Sequence, residues 1–75
     1  MTFDEVISKW NPKHRSAVND ILICLKNSDG KNVTIPKNRF RNMVTTQIMT
    51  DLGFSLSNVG RVNGKKAFYT YKKLT

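Results

Sequence analysis

Residues 36–71, PKNRFRNMVTTQIMTDLGFSLSNVGRVNGKKAFYTY, decide the fold. They predict one amphipathic helix, a glycine stop and a two-stranded hairpin. Phe40, Met43, Val44, Ile48 and Leu52 recur at a helical spacing, with Gln47 the one gap, so the helix is expected from Lys37 to Leu52 with those residues on its buried face. Gly53 follows as a C-terminal cap, and Phe54 can pack back on the last turn. Thr45-Thr46 offers an alternative, a break into two short helices. No Gly or Pro forces a turn there, and the β-branched pair lowers helix propensity only slightly. Beyond the stop, Asn63-Gly64 supplies the two positive-φ positions of a tight hairpin turn.

The hairpin joins Leu56–Val62 to Lys65–Lys73. With a two-residue turn and no irregularity, Leu56, Val62, Ala67, Tyr69 and Tyr71 share one face. Val59, Arg61, Lys66, Phe68 and Thr70 share the other. Neither face is cleanly apolar, which leaves two readings open: an extra residue in the turn, or Phe68 packed at an edge. Val33-Thr34-Ile35 is a candidate third strand, because Pro36 biases Ile35 toward an extended state.

Upstream, Thr2 and Glu5 form a capping box. It opens a short helix, about Phe3 to Trp10, with Phe3, Val6, Ile7 and Trp10 as its apolar face. Such a helix is too short to persist alone and must dock, through Trp10 above all. An exposed Trp10 would instead mark a protein-binding anchor. Asn11-Pro12 is read as a cap and first helical residue, starting a second helix over about 12–26. Ala17, Val18, Ile21, Leu22, Cys24 and Leu25 give it a broad buried face that Ile23 widens. Asn27-Ser28-Asp29-Gly30 ends it. The expected fold is thus α+β, three helices and a C-terminal two-stranded hairpin with a possible short third strand. It forms one domain over residues 1–75, with an accessory helix over 1–10 and a core over 12–73.

Composition bounds the function. A chain of 75 residues buries only about 60% of its potential surface, so the core is thin and a partner would help it. The net charge is +8, from 13 Lys and Arg against 5 Asp and Glu. Residues 1–30 are balanced; the whole excess falls in residues 31–75, where Asp51 is the one acid. Segregated positive charge suits a polyanionic partner, against the plainer reading of a solvated surface. The single Cys24 excludes an internal disulfide and is expected to be a buried thiol. The reducing cytoplasm is the natural compartment. No secretory pattern and no membrane-spanning run is present, and Asn32-Val33-Thr34 is a chance glycosylation match.

No catalytic constellation is evident. His14 is the only histidine and Cys24 the only cysteine, too few for zinc. Asp29-Gly30-Lys31 is a turn, not part of a phosphate loop. A non-enzymatic protein without metal or cofactor is expected. Lys37, Arg39 and Arg41 crowd the predicted helix start, whose free N–H groups attract phosphate. Arg61, Lys65 and Lys66 cluster at the hairpin turn. Such contacts position a protein on a backbone without reading sequence. Asn38, Asn42 and Gln47 are candidates for base edges. Tyr69 and Tyr71 can stack on unpaired bases or serve as half-buried strand residues.

A helical amino-terminal half, a short strand, a helix ending in Leu52-Gly53-Phe54 and a basic hairpin together resemble a winged helix-turn-helix DNA-binding domain. Leu52-Gly53-Phe54 followed by Arg61-Val62-Asn63-Gly64-Lys65-Lys66 and an aromatic strand is similar to the C-terminal winged modules of some viral and phage primase-helicases. The likeness covers residues 12–73. It implies a major-groove helix over 37–52 and a wing tip over 61–66 on the backbone or minor groove. That family places two helices between first strand and wing, whereas one is evident here. The functional expectation is nucleic-acid binding, duplex DNA first, in transcription or replication control. The alternatives are a small basic module, such as a phage-type regulator, that binds an acidic surface of a larger host protein, and an RNA- or ribosome-associated protein.

Overall fold

The computed structural model describes residues 2–37 and 42–74, and for Asn42 the backbone alone. Its elements are α1 (Phe3–Trp10), α2 (Arg15–Lys26), β1 (Asn32–Pro36), α3 (Asn42–Asp51), β2 (Phe54–Val62) and β3 (Lys65–Lys73). The candidate third strand is real. The three strands form an antiparallel sheet in the order β1-β3-β2, so β3 is the central strand. α2 packs on β1 and α3 on β2. One core draws on every element: Val6 from α1, Ala17, Val18 and Ile21 from α2, Val33 and Ile35 from β1, Ile48 and Met49 from α3, Phe54 from β2, and Tyr71 from β3.

The two ends of α1 differ in how well the sequence foretells them. At its start, the Glu5 backbone N–H donates to Thr2 Oγ1 at 3.2 Å and the Thr2 N–H donates to Glu5 Oε1 at 3.3 Å, the reciprocal bonds of a capping box. The Thr2 bonds hold the Glu5 carboxyl below its usual range. At the other end the reading of Asn11 needs correction. Its N–H donates to the Ile7 carbonyl at 2.8 Å, so it closes α1 rather than opening α2. Pro12 then lies in the turn, the His14 N–H donates to the Trp10 carbonyl at 2.9 Å, and α2 starts at Arg15 with His14 as its N-cap residue.

α2 and α3 keep most of the expected inward residues, Val44, Ile48 and Leu52 among them, and depart from the sequence reading at Ile23 and Met43. Ile23 is 59% exposed, so the buried stripe of α2 narrows to Ala17, Val18 and Ile21, flanked by Leu22, Cys24 and Leu25. In α3, Met43 is 78% exposed while Thr45, Ile48 and Met49 are buried. The inward face therefore follows Thr45, Ile48, Met49 and Leu52, a spacing of three, four and seven. The helix runs unbroken through Thr45-Thr46. Phe40 lies outside the described residues. Gly53 closes the helix at φ 90°, as a C-terminal cap does.

The hairpin register settles the question left by its mixed faces. The turn is two residues, Asn63 at φ 53° and Gly64 at φ 77°, the conformation whose twist matches antiparallel strands. Val62 pairs with Lys65 and Arg61 with Lys66, but Gly60 then pairs with Phe68, leaving Ala67 unpaired. Farther on, Ser57 is the unpaired residue, and Leu56 faces Tyr71. Each strand thus carries one bulge, and the second restores the register that the first shifts. Between them, Val59 pairs with Tyr69, two apolar groups on the helix side. Unbroken pairing would have set Val59 against Phe68. A slip of one residue exchanges the faces of a strand, and here two bulges confine the slip to the middle of the hairpin.

The α1 helix docks through a polar clamp. Trp10 Nε1 donates to Asp51 Oδ2 at 2.8 Å, and Lys9 Nζ lies 3.4 Å from the same oxygen. The Lys9 ammonium also sits 5.3 Å from the Trp10 ring centroid, within cation–π range. Asp51 ends α3, where the helix dipole disfavours an anion. The Trp10 N–H first, and Lys9 after it, hold the Asp51 carboxyl below the usual aspartate range. A depressed folded value means stability that is present above about pH 4, the ordinary aspartate value, and lost as pH falls through the folded value. Acid is therefore expected to shift the emission of Trp10, the only tryptophan, below about pH 4. Asp51→Asn should show much of that shift at neutral pH. Trp10→Phe should lower Tm by about 4–8 °C for the loss of about 1 kcal/mol. An emission indifferent to both acid and Asp51→Asn would contradict the clamp.

Candidate nucleic-acid interface

At the hairpin tip, strand pairing sets two cations against each other. Arg61 and Lys66 are direct cross-strand partners, with Lys65 one residue nearer the turn, and all three are exposed. Like charges directly opposite on a sheet destabilise it. Among the described residues no carboxylate forms an ion pair with any of the three. Arg61 Nη1 does donate to the Gly64 carbonyl, a long bond at 3.5 Å that folds the guanidinium back on the turn. None of the three strands contains an acidic residue at all. Chain segments that pack a sheet need no such arrangement; a polyanion would relieve it.

Lys37 joins the sheet by an unexpected route. The sequence placed it in the first turn of α3. Instead its backbone N–H donates to the Ala67 carbonyl at 2.8 Å, continuing the pairing of β1 with β3 past Pro36. The bulge at Ala67 thus has a partner from another segment, and Lys37 stands beside Lys66 through the backbone. Lys37 also borders a hollow with Asp20, Ile23, Cys24 and Ile35, on the α2 side of the sheet. Arg39, Arg41 and Asn38 lie outside the described residues. Asn42 begins α3, and its side chain lies outside them too.

Tyr71 is not free to stack on bases. Tyr71 is 1% exposed and its hydroxyl is 2.9 Å from Thr46 Oγ1 on α3. Burial pushes its phenol above the usual value, with the Thr46 bond opposing. No base can stack on it. Tyr69 is partly buried and packs against the core. The exposed aromatic of β3 is Phe68, for which packing at an edge is one of the two readings that the sequence leaves open. No motif signals it; alternation with the inward Tyr69 and Tyr71 turns it outward, and the bulge at Ala67 gives it Gly60 rather than Val59 as its β2 partner.

Other reactive groups lie away from the tip. Cys24 is half-buried rather than sealed, and burial, then Asp20, push its thiol up. Asp29 Oδ1 accepts from the N–H groups of Lys31 and Asn32 at 2.8 and 2.9 Å. Those bonds hold its carboxyl low and fix the entry to β1. Among the described residues no three His, Cys, Asp or Glu side chains converge to hold a metal, and no helix is long and apolar enough to cross a membrane. No protein-family model, curated protein or solved structure matches the chain.

The position of the wing cations depends on the turn. A side chain at Gly64 meets no neighbour within 4 Å, but φ 77° strains any L-residue there. Gly64→Val is expected to cost roughly 1–2 kcal/mol and to raise amide exchange at Arg61 and Lys66 selectively. Unchanged protection would mean that the turn does not set the geometry of the tip.

Proposed function

We propose that this chain is a non-enzymatic nucleic-acid-binding protein that takes duplex DNA on a basic wing, with a winged-helix-like arrangement of residues 12–73 and a role in transcription or replication. One observation carries the reading: Arg61 faces Lys66 at an exposed hairpin tip, next to Lys65 and within reach of the Lys37 segment, on a sheet without acids. The tip is a place where folding alone disfavours this charge, so its use is sought in a ligand. Phosphate contacts from Arg61, Lys65, Lys66 and Lys37 hold the duplex. Arg39 and Arg41 are proposed as further phosphate contacts, and Asn38 and Asn42 as contacts to base edges.

A basic protein-interaction module is the second reading. It is favoured by the exposed apolar side chains of Ile23 and Met43 on two different helices. The two readings differ in their dependence on salt and on nuclease. Phosphate binding releases counterions, so log affinity should fall linearly with log salt, by about 0.9 for each phosphate neutralised on duplex DNA. Replacing Arg61, Lys65 and Lys66 by Ala is expected to weaken duplex, single-stranded DNA and RNA by similar factors. The duplex slope should flatten by about 0.9 for each phosphate that the variant leaves without its cation. A flat salt dependence in the parent protein would overturn the proposal. Retention of one stoichiometric protein partner after nuclease treatment, abolished by the triple substitution, would favour the protein module.

A further inference from the structure

The face of the sheet opposite the helices carries a second surface. Paired strand residues share a face, and Val33, Ile35, Tyr69 and Tyr71 point toward the core. Their neighbours Thr34, Phe68, Thr70 and Lys72 therefore point away from it. The shared bulge brings Lys65 to the same side, because Gly60 pairs with Phe68 and Val62, two residues on, pairs with Lys65. Along the central strand this outer face reads Lys65, Phe68, Thr70, Lys72. From Lys65 to Lys72 it spans roughly 20 Å.

Phe68 is the prominent feature of this face. It is 42% exposed, although it belongs to the central strand. Its cross-strand neighbours are Pro36 on one side and Gly60, which has no side chain, on the other. Its Cβ and Cδ2 lie 3.5 Å from where a side chain at Gly60 would begin, so a larger residue at that position would crowd it. Polar groups surround the ring: Thr34 and Thr70 with their hydroxyl oxygens 3.2 Å apart, and Asn58 opposite Thr70.

We infer that this outer face is a stacking platform for unpaired nucleic-acid bases, with Phe68 under a base and Lys65 and Lys72 on the flanking phosphates. The inference rests on the nucleic-acid reading above but uses a different face of the sheet from the Arg61–Lys66 pair. An aromatic face accepts any base, and neighbouring cations track the backbone. The Thr and Asn side chains offer donors and acceptors to base edges. Charge decides the occupant. A second copy of this chain brings +8 against Lys65 and Lys72, with no carboxylate in its own sheet to meet them. An apolar protein surface would strip water from Thr34, Asn58, Thr70 and Lys72 without replacing it. Unpaired nucleic acid supplies both the flat ring and the negative backbone.

The test compares a short oligothymidylate with a blunt duplex of mixed sequence, using the full chain. Phe68→Leu keeps an apolar side chain but removes the aromatic face, and circular dichroism and Trp10 emission verify its fold. It should weaken oligothymidylate binding at least about fivefold, the lower range of base–aromatic stacking. It should leave duplex affinity and both salt slopes unchanged. Phe68→Tyr should restore binding, and Lys72→Ala should flatten the oligothymidylate slope by about 0.7. Parental oligothymidylate affinity in Phe68→Leu, with weakened binding in the triple wing variant, overturns the platform and leaves the wing reading standing. Equal weakening of duplex and oligothymidylate in Phe68→Leu also overturns it. A parent protein that binds neither nucleic acid overturns both proposals.

Discussion

Tyr71 is the largest side chain that the fold buries completely, and its hydroxyl reaches Thr46 on α3. Its position on the central strand makes this contact the one on which the rest depends. β3 bonds to β1 on one side and β2 on the other, so it is the only strand without a free edge. Tyr71 on its inner side meets Val33 across one pairing and Leu56 across the other. Burying a ring of this size stabilises the fold by about 1.5–3 kcal/mol, a large share for a small domain. Leaving its hydroxyl without Thr46 would cost about 1–3 kcal/mol.

Alternation along β3 then fixes what faces outward. With Tyr71 and Tyr69 inward, Lys72, Thr70 and Phe68 have only the other side. The bulge at Ala67 lets the strand keep Tyr69 beside Val59 while the turn keeps its two-residue geometry. It also leaves the Ala67 carbonyl to accept the N–H of Lys37. One irregularity therefore aligns Val59 with Tyr69 and sets Gly60 beside Phe68. At the opposite end, the Trp10–Asp51 clamp ties α1 to α3, and Val6 carries that helix into the common core.

Much of this was legible in the sequence. The capping box, the helix stop at Gly53 and the Asn63-Gly64 turn are local, and local chemistry specifies them. The candidate strand at Val33-Ile35 also follows from its neighbours, since Pro36 favours extended backbone. The misplaced features are those where a competing hydrogen bond or a distant partner wins. Asn11-Pro12 carries the residue types of a helix start, but the hydrogen bond to Ile7 wins. Met43 fits the helical period as well as Met49 does, and only the position of the sheet chooses between them. Lys37 looks like a first-turn residue until Ala67 captures its N–H. Phe68 and Tyr71 differ by three positions, and nothing in their immediate sequence tells which is buried. The helices decide it by packing on the Tyr71 side of the sheet. The charge asymmetry was plain from composition, whereas the opposition of Arg61 and Lys66 required the register.

β3 is the spine that joins a buried face to an exposed outer one and to the basic tip. Amide hydrogen exchange measures this directly. The N–H groups of Tyr69 to Lys72 should exchange only through global unfolding, with free energies equal to the stability from denaturation. Those of β2 that face the free edge, and those at the tip near Lys65, should open at lower cost. If the β3 amides instead exchange as fast as the hairpin tip while those of α2 stay protected, the sheet is not organised around β3, and the surfaces assigned to Phe68 and the wing lose their common foundation.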